Sequence, residues 1–279
     1  MNQGSDAVSP EFSSVASVRP VASGRYRAAV TEHWLQGRGA FGGLVAGIFA
    51  RAMRAELATR GDPGQLRTLT CHLCEPVPPA ALVLAVEVIR VGKLVRHVSA
   101  RLYSERDVLL AIASATFASA RPEVGLSFDH AQPPAHAPME DSPVVLHSGL
   151  EPVFCRNFEY RFAGGSPPFS LGDPAAFVGW TRLRGSAEPL DEALAAAYLD
   201  SWPPAVFVKT AGPRPAATMA ITYHFVRALP DREREPGAAY LVTAAAREAV
   251  DGYSAQDNEL WTADGQLLAR AHQVFALIK

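Results

Sequence analysis

The sequence predicts an α+β fold written twice on one chain, each half a single long helix laid against an antiparallel sheet. Three observations carry that expectation. Each half shows one helical pattern and then strand after strand, without the βαβ alternation that builds a parallel sheet. The halves repeat: Thr70-Cys71-His72 lines up with Thr222-Tyr223-His224, Arg90-Val91-Gly92 with Val250-Asp251-Gly252, and 103–117 with 261–275, both of which contain a Leu-Leu-Ala step. The chain also closes on a complete hairpin, 258–278, around Asp264-Gly265, a pair that accepts the positive φ angles of a tight turn.

Composition bounds the rest. With 279 residues, 48% of them hydrophobic, the chain can bury a sizeable core, as two domains of common size or one large one. Its 26 basic and 28 acidic residues leave a formal net charge of −2, and no basic run marks a phosphate track, so nucleic acid is not an expected partner. No run of about 18 apolar residues is present to span a membrane. The first fourteen residues lack a basic and then apolar signal pattern, and residues 1–20 read as a disordered tail. Three cysteines, an odd number, argue against a secreted disulfide scaffold, so a reduced, cytoplasmic setting is expected.

In chain order, 22–36 reads as extended. Residues 37–42 formally match GxGxxG and lead into a helix over 44–57, but the acidic residue a dinucleotide site wants about 20 positions on is missing. The plainer reading is that Gly42 and Gly43 let a helix start pack tightly against a sheet. Strands follow at 66–75, 82–90, 95–103 and 108–119, and these with the helix make a first half over 21–120. Cys71 and Cys74 fall in the first of these strands on opposite faces, with no second pair, which reads as core packing and no metal. Residues 121–152 hold six prolines and little periodicity, the mark of a linker. The second half, 153–279, has strands at 153–162 and 175–184, a helix over 190–200 stopped by Pro203-Pro204, and strands at 218–227, 240–250, 255–262 and 266–278.

The final strand alternates, and Gln273 falls on its apolar face with Leu267, Ala269, Ala271 and Phe275, where an amide needs a partner or a task. The repeat supplies an internal control. Ala115 stands opposite Gln273 and Leu66 opposite Thr218, so the first half keeps the packing and drops the polar groups. Asp200 ends its helix, where the macrodipole disfavours an anion, and follows the small residues Ala193, Ala196 and Ala197. An acid, a hydroxyl and an amide together can hold one water: Asp200 takes its proton while Thr218 and Gln273 fix its direction. Thr222 is read as a second hydroxyl on the same strand face, so either threonine can fill that place.

These segments resemble the TesB-like (type II) acyl-CoA thioesterases of the double hot-dog fold, over most of the chain from about Gly24 to Leu277. Residues 39–47 resemble the family's FGG helix start, 195–200 the segment ending in its catalytic aspartate, 217–225 the strand bearing its threonine, and 259–273 the closing hairpin with its glutamine. The resemblance implies a tandem hot-dog, with hydrolysis of an acyl-CoA to a free acid and coenzyme A by water held at Asp200, Thr218 and Gln273. It implies substrate contacts at Phe41, Gly42 and Gly43, and no cofactor. Because a double hot-dog chain resembles a fused dimer, a monomer is feasible, though homo-dimers of such chains are common in the family. Two alternatives stand beside it: a hot-dog hydratase or dehydratase, for which His224 is the best histidine, and a non-catalytic acyl-thioester-binding protein. No GxSxG elbow is present for an α/β-hydrolase.

Overall fold

A computed structural model describes residues 11–145, 149–185, 188–229 and 237–278. The first half runs α1 (Phe12–Val15), β1 (Arg19–Ala22), β2 (Arg25–Ala29), the two-residue strands β3 (Leu35–Gln36) and β4 (Gly39–Ala40), and the long helix α2 (Gly42–Ala58). It ends with β5 (Gln65–Leu73), β6 (Ala81–Val91), β7 (Val95–Ser104) and β8 (Leu109–Ala118). The second half comprises β9 (Phe158–Gly165), β10 (Ala176–Leu183), helix α3 (Glu192–Leu199), β11 (Ala216–His224), β12 (Tyr240–Val250), β13 (Tyr253–Trp261) and β14 (Leu267–Leu277).

All strands but β3 and β4 join one twelve-stranded antiparallel sheet, ordered β1-β2-β6-β7-β8-β5-β11-β14-β13-β12-β10-β9. The order is a palindrome of the repeat, each strand of one half mirrored by its counterpart in the other. The seam is β5 against β11, where Thr70 pairs with Thr222, Thr68 with His224 and His72 with Ala220. Repeat mates therefore exchange places across a pseudo-twofold axis through the two threonines. The double hot-dog expected from the sequence is the fold observed.

Helices α2 and α3 lie side by side and antiparallel on one face of this sheet. Close approach follows from small residues. A Cβ on Gly43 would stand 2.7 Å from the Cα of Ala197, and one on Gly47 would stand 3.2 Å from the Cβ of Ala193. Asp191 caps α3, its Oδ1 accepting the Leu194 N–H at 2.8 Å, and Arg51 of α2 donates two hydrogen bonds to the same carboxylate. At the other end Pro203-Pro204 cannot continue the helix, so it stops with Asp200 as its C-terminal flanking residue.

Two sequence expectations need correction. Residues 12–20 are not a free tail: Phe12 is fully buried, edge-on to Trp34 and against Gly47, with the Arg51 guanidinium over its ring. A short apolar segment among polar neighbours hid this packing in the sequence, and residues 1–10 lie outside the described part. The proline-rich segment read as a linker likewise packs onto the second half. Its Ala137 carbonyl accepts the Trp180 indole N–H at 2.9 Å, and Val144 bridges to Arg161 of β9. It thereby covers the outer edge strand of the second half.

Candidate active site

Three elements of the second half and one of the first converge on a single point. Asp200 is delivered by the end of α3, Thr218 by β11 and Gln273 by β14. On these paired strands Thr218 stands opposite Phe275 and Ile221 opposite Gln273. Gln273 is 1% exposed, and its Nε2 donates one hydrogen bond to Asp200 Oδ1 and another to Thr218 Oγ1, each 2.7 Å long. Both amide protons are thus used to tie acid and hydroxyl together. The Thr218 hydroxyl, having accepted from Gln273, keeps its own proton to donate.

The sequence reading placed Thr218 and Thr222 on one strand face. A register shift between Thr218 and Ala220 overturns that, since a bulge adds a residue and reverses the alternation. Thr218 now shares the inner face with buried Phe275, whereas Thr222 shares the outer face with exposed His272 and bonds Thr70 Oγ1 at 3.0 Å. Geometry alone brings only Thr218 to the cluster.

The first half contributes the start of α2. The Gly43 N–H is hydrogen-bonded to Asp200, and a Cβ on Gly42 would stand 2.7 Å from Asp200 Oδ2. The glycine run that imitates a nucleotide motif therefore faces an internal carboxylate. Phe41 is fully buried and stacked on Phe154, ring centroids 4.0 Å apart, which fixes the entry into the helix. Of the three residues expected to contact substrate, Gly42 and Gly43 both border the carboxylate, Gly43 through its N–H.

Electrostatics favour a proton on this acid. Burial raises the Asp200 pKa from 3.8 to about 7, against the opposing pull of the Gln273 amide and the Gly43 N–H. Beneath it, burial pushes the Cys71 thiol and the Tyr223 phenol upward, and the nearby Asp200 charge adds to both. Gln273 Oε1 and the Tyr223 hydroxyl are enclosed without partners among the described residues. Neither orphan was foreseen, although Tyr223 falls on the apolar side of its strand in the sequence.

Other candidates lie elsewhere. Cys71 is buried and Cys74 exposed, so their thiols do not converge. His224 is exposed on the outer face, opposite the side that holds Asp200. A cavity of about 630 Å³ also opens there, between Pro134–Ala135 and the strands carrying Thr243, Asp257 and His272; none of the three clustered side chains lines it.

Fold and site together define a tandem hot-dog protein with a carboxylate, a hydroxyl and an amide at the junction of its helices. Residues 30–118 match the acyl-CoA thioesterase N-terminal domain and 129–277 the acyl-CoA thioesterase C-terminal domain. The chain belongs to this acyl-CoA thioesterase family and is a thioester hydrolase. Among solved structures, a hot-dog protein of unknown function from Alicyclobacillus acidocaldarius is similar at 24% identity and TM-score 0.84, covering 98% of this chain and 99% of that one. A putative thioesterase II from Thermobifida fusca matches at 21% identity and TM-score 0.81, over 96% and 97%. The acyl-CoA thioesterase II TesB2 of Mycobacterium marinum matches at 18% identity and TM-score 0.73, over 96% and 98%. No curated protein matches the chain. At these identities the solved structures support the fold.

Proposed function

We propose that this enzyme hydrolyses acyl-CoA thioesters with a water activated at Asp200, Thr218 and Gln273. The observation that carries the reading is the buried Gln273 amide bonded at 2.7 Å to both partners, a polar bridge that the equivalent Ala115 of the first half lacks. Ionised Asp200 accepts a proton from water as its oxygen attacks the thioester carbonyl, Thr218 holds that water in line, and Gln273 holds the acid and the hydroxyl in place. Collapse of the tetrahedral intermediate breaks the carbon–sulfur bond, and the thiolate leaves as coenzyme A after taking up the proton held by Asp200. The pKa near 7 suits an acid that must accept and then return a proton around neutrality.

A hydratase reading would need His224 beside Asp200, and the sheet separates them. The test is free-thiol release from acyl-CoAs of rising chain length, with Asp200→Asn run in parallel. Release by the wild type and a loss of at least about 100-fold in the folded variant is expected. Acyl-CoA binding without thiol release would replace hydrolysis by a binding role, and undiminished release by the variant would discard this site.

A further inference from the structure

We infer that Gln256 and Asn258, two buried amides on β13, are positioning residues that hold the Leu199–Ala205 segment, and with it Asp200, in register with Gln273. This rests on the hydrolytic reading of the Asp200 site and adds to it two residues that do not touch the reacting atoms.

The hydrogen bonds form one directed chain. Asn258 Nδ2 donates to the Leu199 carbonyl at 2.7 Å, at the very end of α3. Gln256 Nε2 donates to Asn258 Oδ1 at 2.9 Å, and Gln256 Oε1 accepts the Ala205 N–H at 2.7 Å. The two side chains thereby bridge both ends of the short segment on which Asp200 sits. Between those ends, the Tyr160 hydroxyl donates to the Ser201 carbonyl at 3.0 Å. A helix end leaves its last carbonyls without partners, so donors from a neighbouring strand can fix where it stops.

The repeat argues that this polarity is not a demand of the fold. Gln256 pairs directly with Gln273, and Asn258 with Ala271. The matching pairs in the first half are Val98 with Ala115 and Ala100 with Ala113, all buried and apolar. The same sheet position is therefore filled equally well by Val and Ala. Burying two amides is unfavourable unless every bond is made. They occur only in the half that carries the acid, beside the glutamine that touches it.

The test borrows the first half's own residues, Gln256→Val and Asn258→Ala, each measured separately so that poor folding of one leaves the other to decide. In acyl-CoA hydrolysis we expect kcat to fall about 10- to 100-fold with KM within about threefold of wild type. The acid limb of the pH profile should move downward as a loosened Asp200 reaches water. Wild-type kcat with an unmoved profile in a folded variant would overturn the inference. A second readout does not need turnover: the protonated-carboxyl infrared band that Asp200→Asn removes, followed against pH. Its midpoint should fall in the variants, and an unchanged midpoint would overturn the inference even if the chain hydrolysed no acyl-CoA, an outcome that would refute the hydrolytic reading by itself.

Discussion

Thr70 and Thr222 face one another at the centre of the sheet, hydroxyl to hydroxyl at 3.0 Å, each the counterpart of the other in the repeat. The pair marks the seam of the fold, and Thr222 lies only four positions along the chain from Thr218 at the site. The two threonines should therefore answer differently. Thr222→Val leaves one half-buried hydroxyl without its mate and should cost about 1 kcal/mol of stability, with hydrolysis nearly unchanged. Thr218→Val should lower kcat about 10- to 100-fold, and by leaving one buried Gln273 N–H without its acceptor it should also cost about 1–3 kcal/mol of stability. Calorimetry beside a thiol-release assay checks both, and equal activities would remove Thr218 from the mechanism.

Asp200 titrates near pH 7 in the folded protein, above its ordinary value of 3.8, so folding tightens its hold on a proton. Its stabilising contribution is complete below about pH 4 and is lost as pH rises through 7, where the ionised carboxylate burdens the fold. Asp200→Asn should accordingly match the wild type near pH 4 and be more stable near pH 8. Three units at about 1.4 kcal/mol each set an upper bound of about 4 kcal/mol, reduced by whatever water reaches the carboxylate. Activity runs the other way: kcat/KM should rise with pH and level off above about 7. Melting curves of both proteins across pH 4–8 decide the first claim, and an Asn variant less stable at pH 8 would contradict it.

Phe12 supplies the test of the N-terminal packing. Its ring is enclosed by Trp34, Gly47 and the Arg51 guanidinium, more than one turn along α2 from Gly42. Phe12→Ala should cost about 3 kcal/mol, the usual result of emptying a buried aromatic site, with hydrolysis retained at temperatures where the protein stays folded. Denaturant melts measure this directly, and a loss under 1 kcal/mol would mean the segment is only lightly docked.

The sequence made the palindromic sheet legible because period-two strands and a shared Leu-Leu-Ala step survive in both halves. It made Gln273 legible because an amide on an apolar strand face, opposite an alanine in the repeat, violates the local pattern. Thr222 misled because a bulge is a backbone event with no residue signature at Met219, and one inserted residue reverses every face assignment after it. Gln256 and Asn258 carried the same signal as Gln273, against Val98 and Ala100, and comparing β13 with β7 residue by residue would have found them. Phe12 was illegible for a different reason: a four-residue helix offers no period, and its burial depends on a helix pair formed far along the chain.

Gly42 and Gly43 adjoin in sequence yet have different neighbours, which separates chemistry from packing at one helix start. A methyl on Gly42 would stand 2.7 Å from Asp200 Oδ2, a side-chain atom that can turn only by giving up its hydrogen bonds to Gln273 and Gly43. A methyl on Gly43 would stand 2.7 Å from the Cα of Ala197 and 2.6 Å from the Phe41 ring, backbone and core that cannot yield without moving α3. Gly42→Ala should therefore displace the carboxylate and cut kcat by about 10-fold or more, at a small cost in stability. Gly43→Ala should force the helices apart, costing about 1–3 kcal/mol and dragging Asp200 with α3. Gly43→Ala should lower the melting temperature clearly, whereas Gly42→Ala should lose kcat with its melting temperature nearly kept, and both quantities measured on both variants check this. If Gly42→Ala proved the less stable protein and the more active one, the carboxylate would not be the group that this glycine leaves space for.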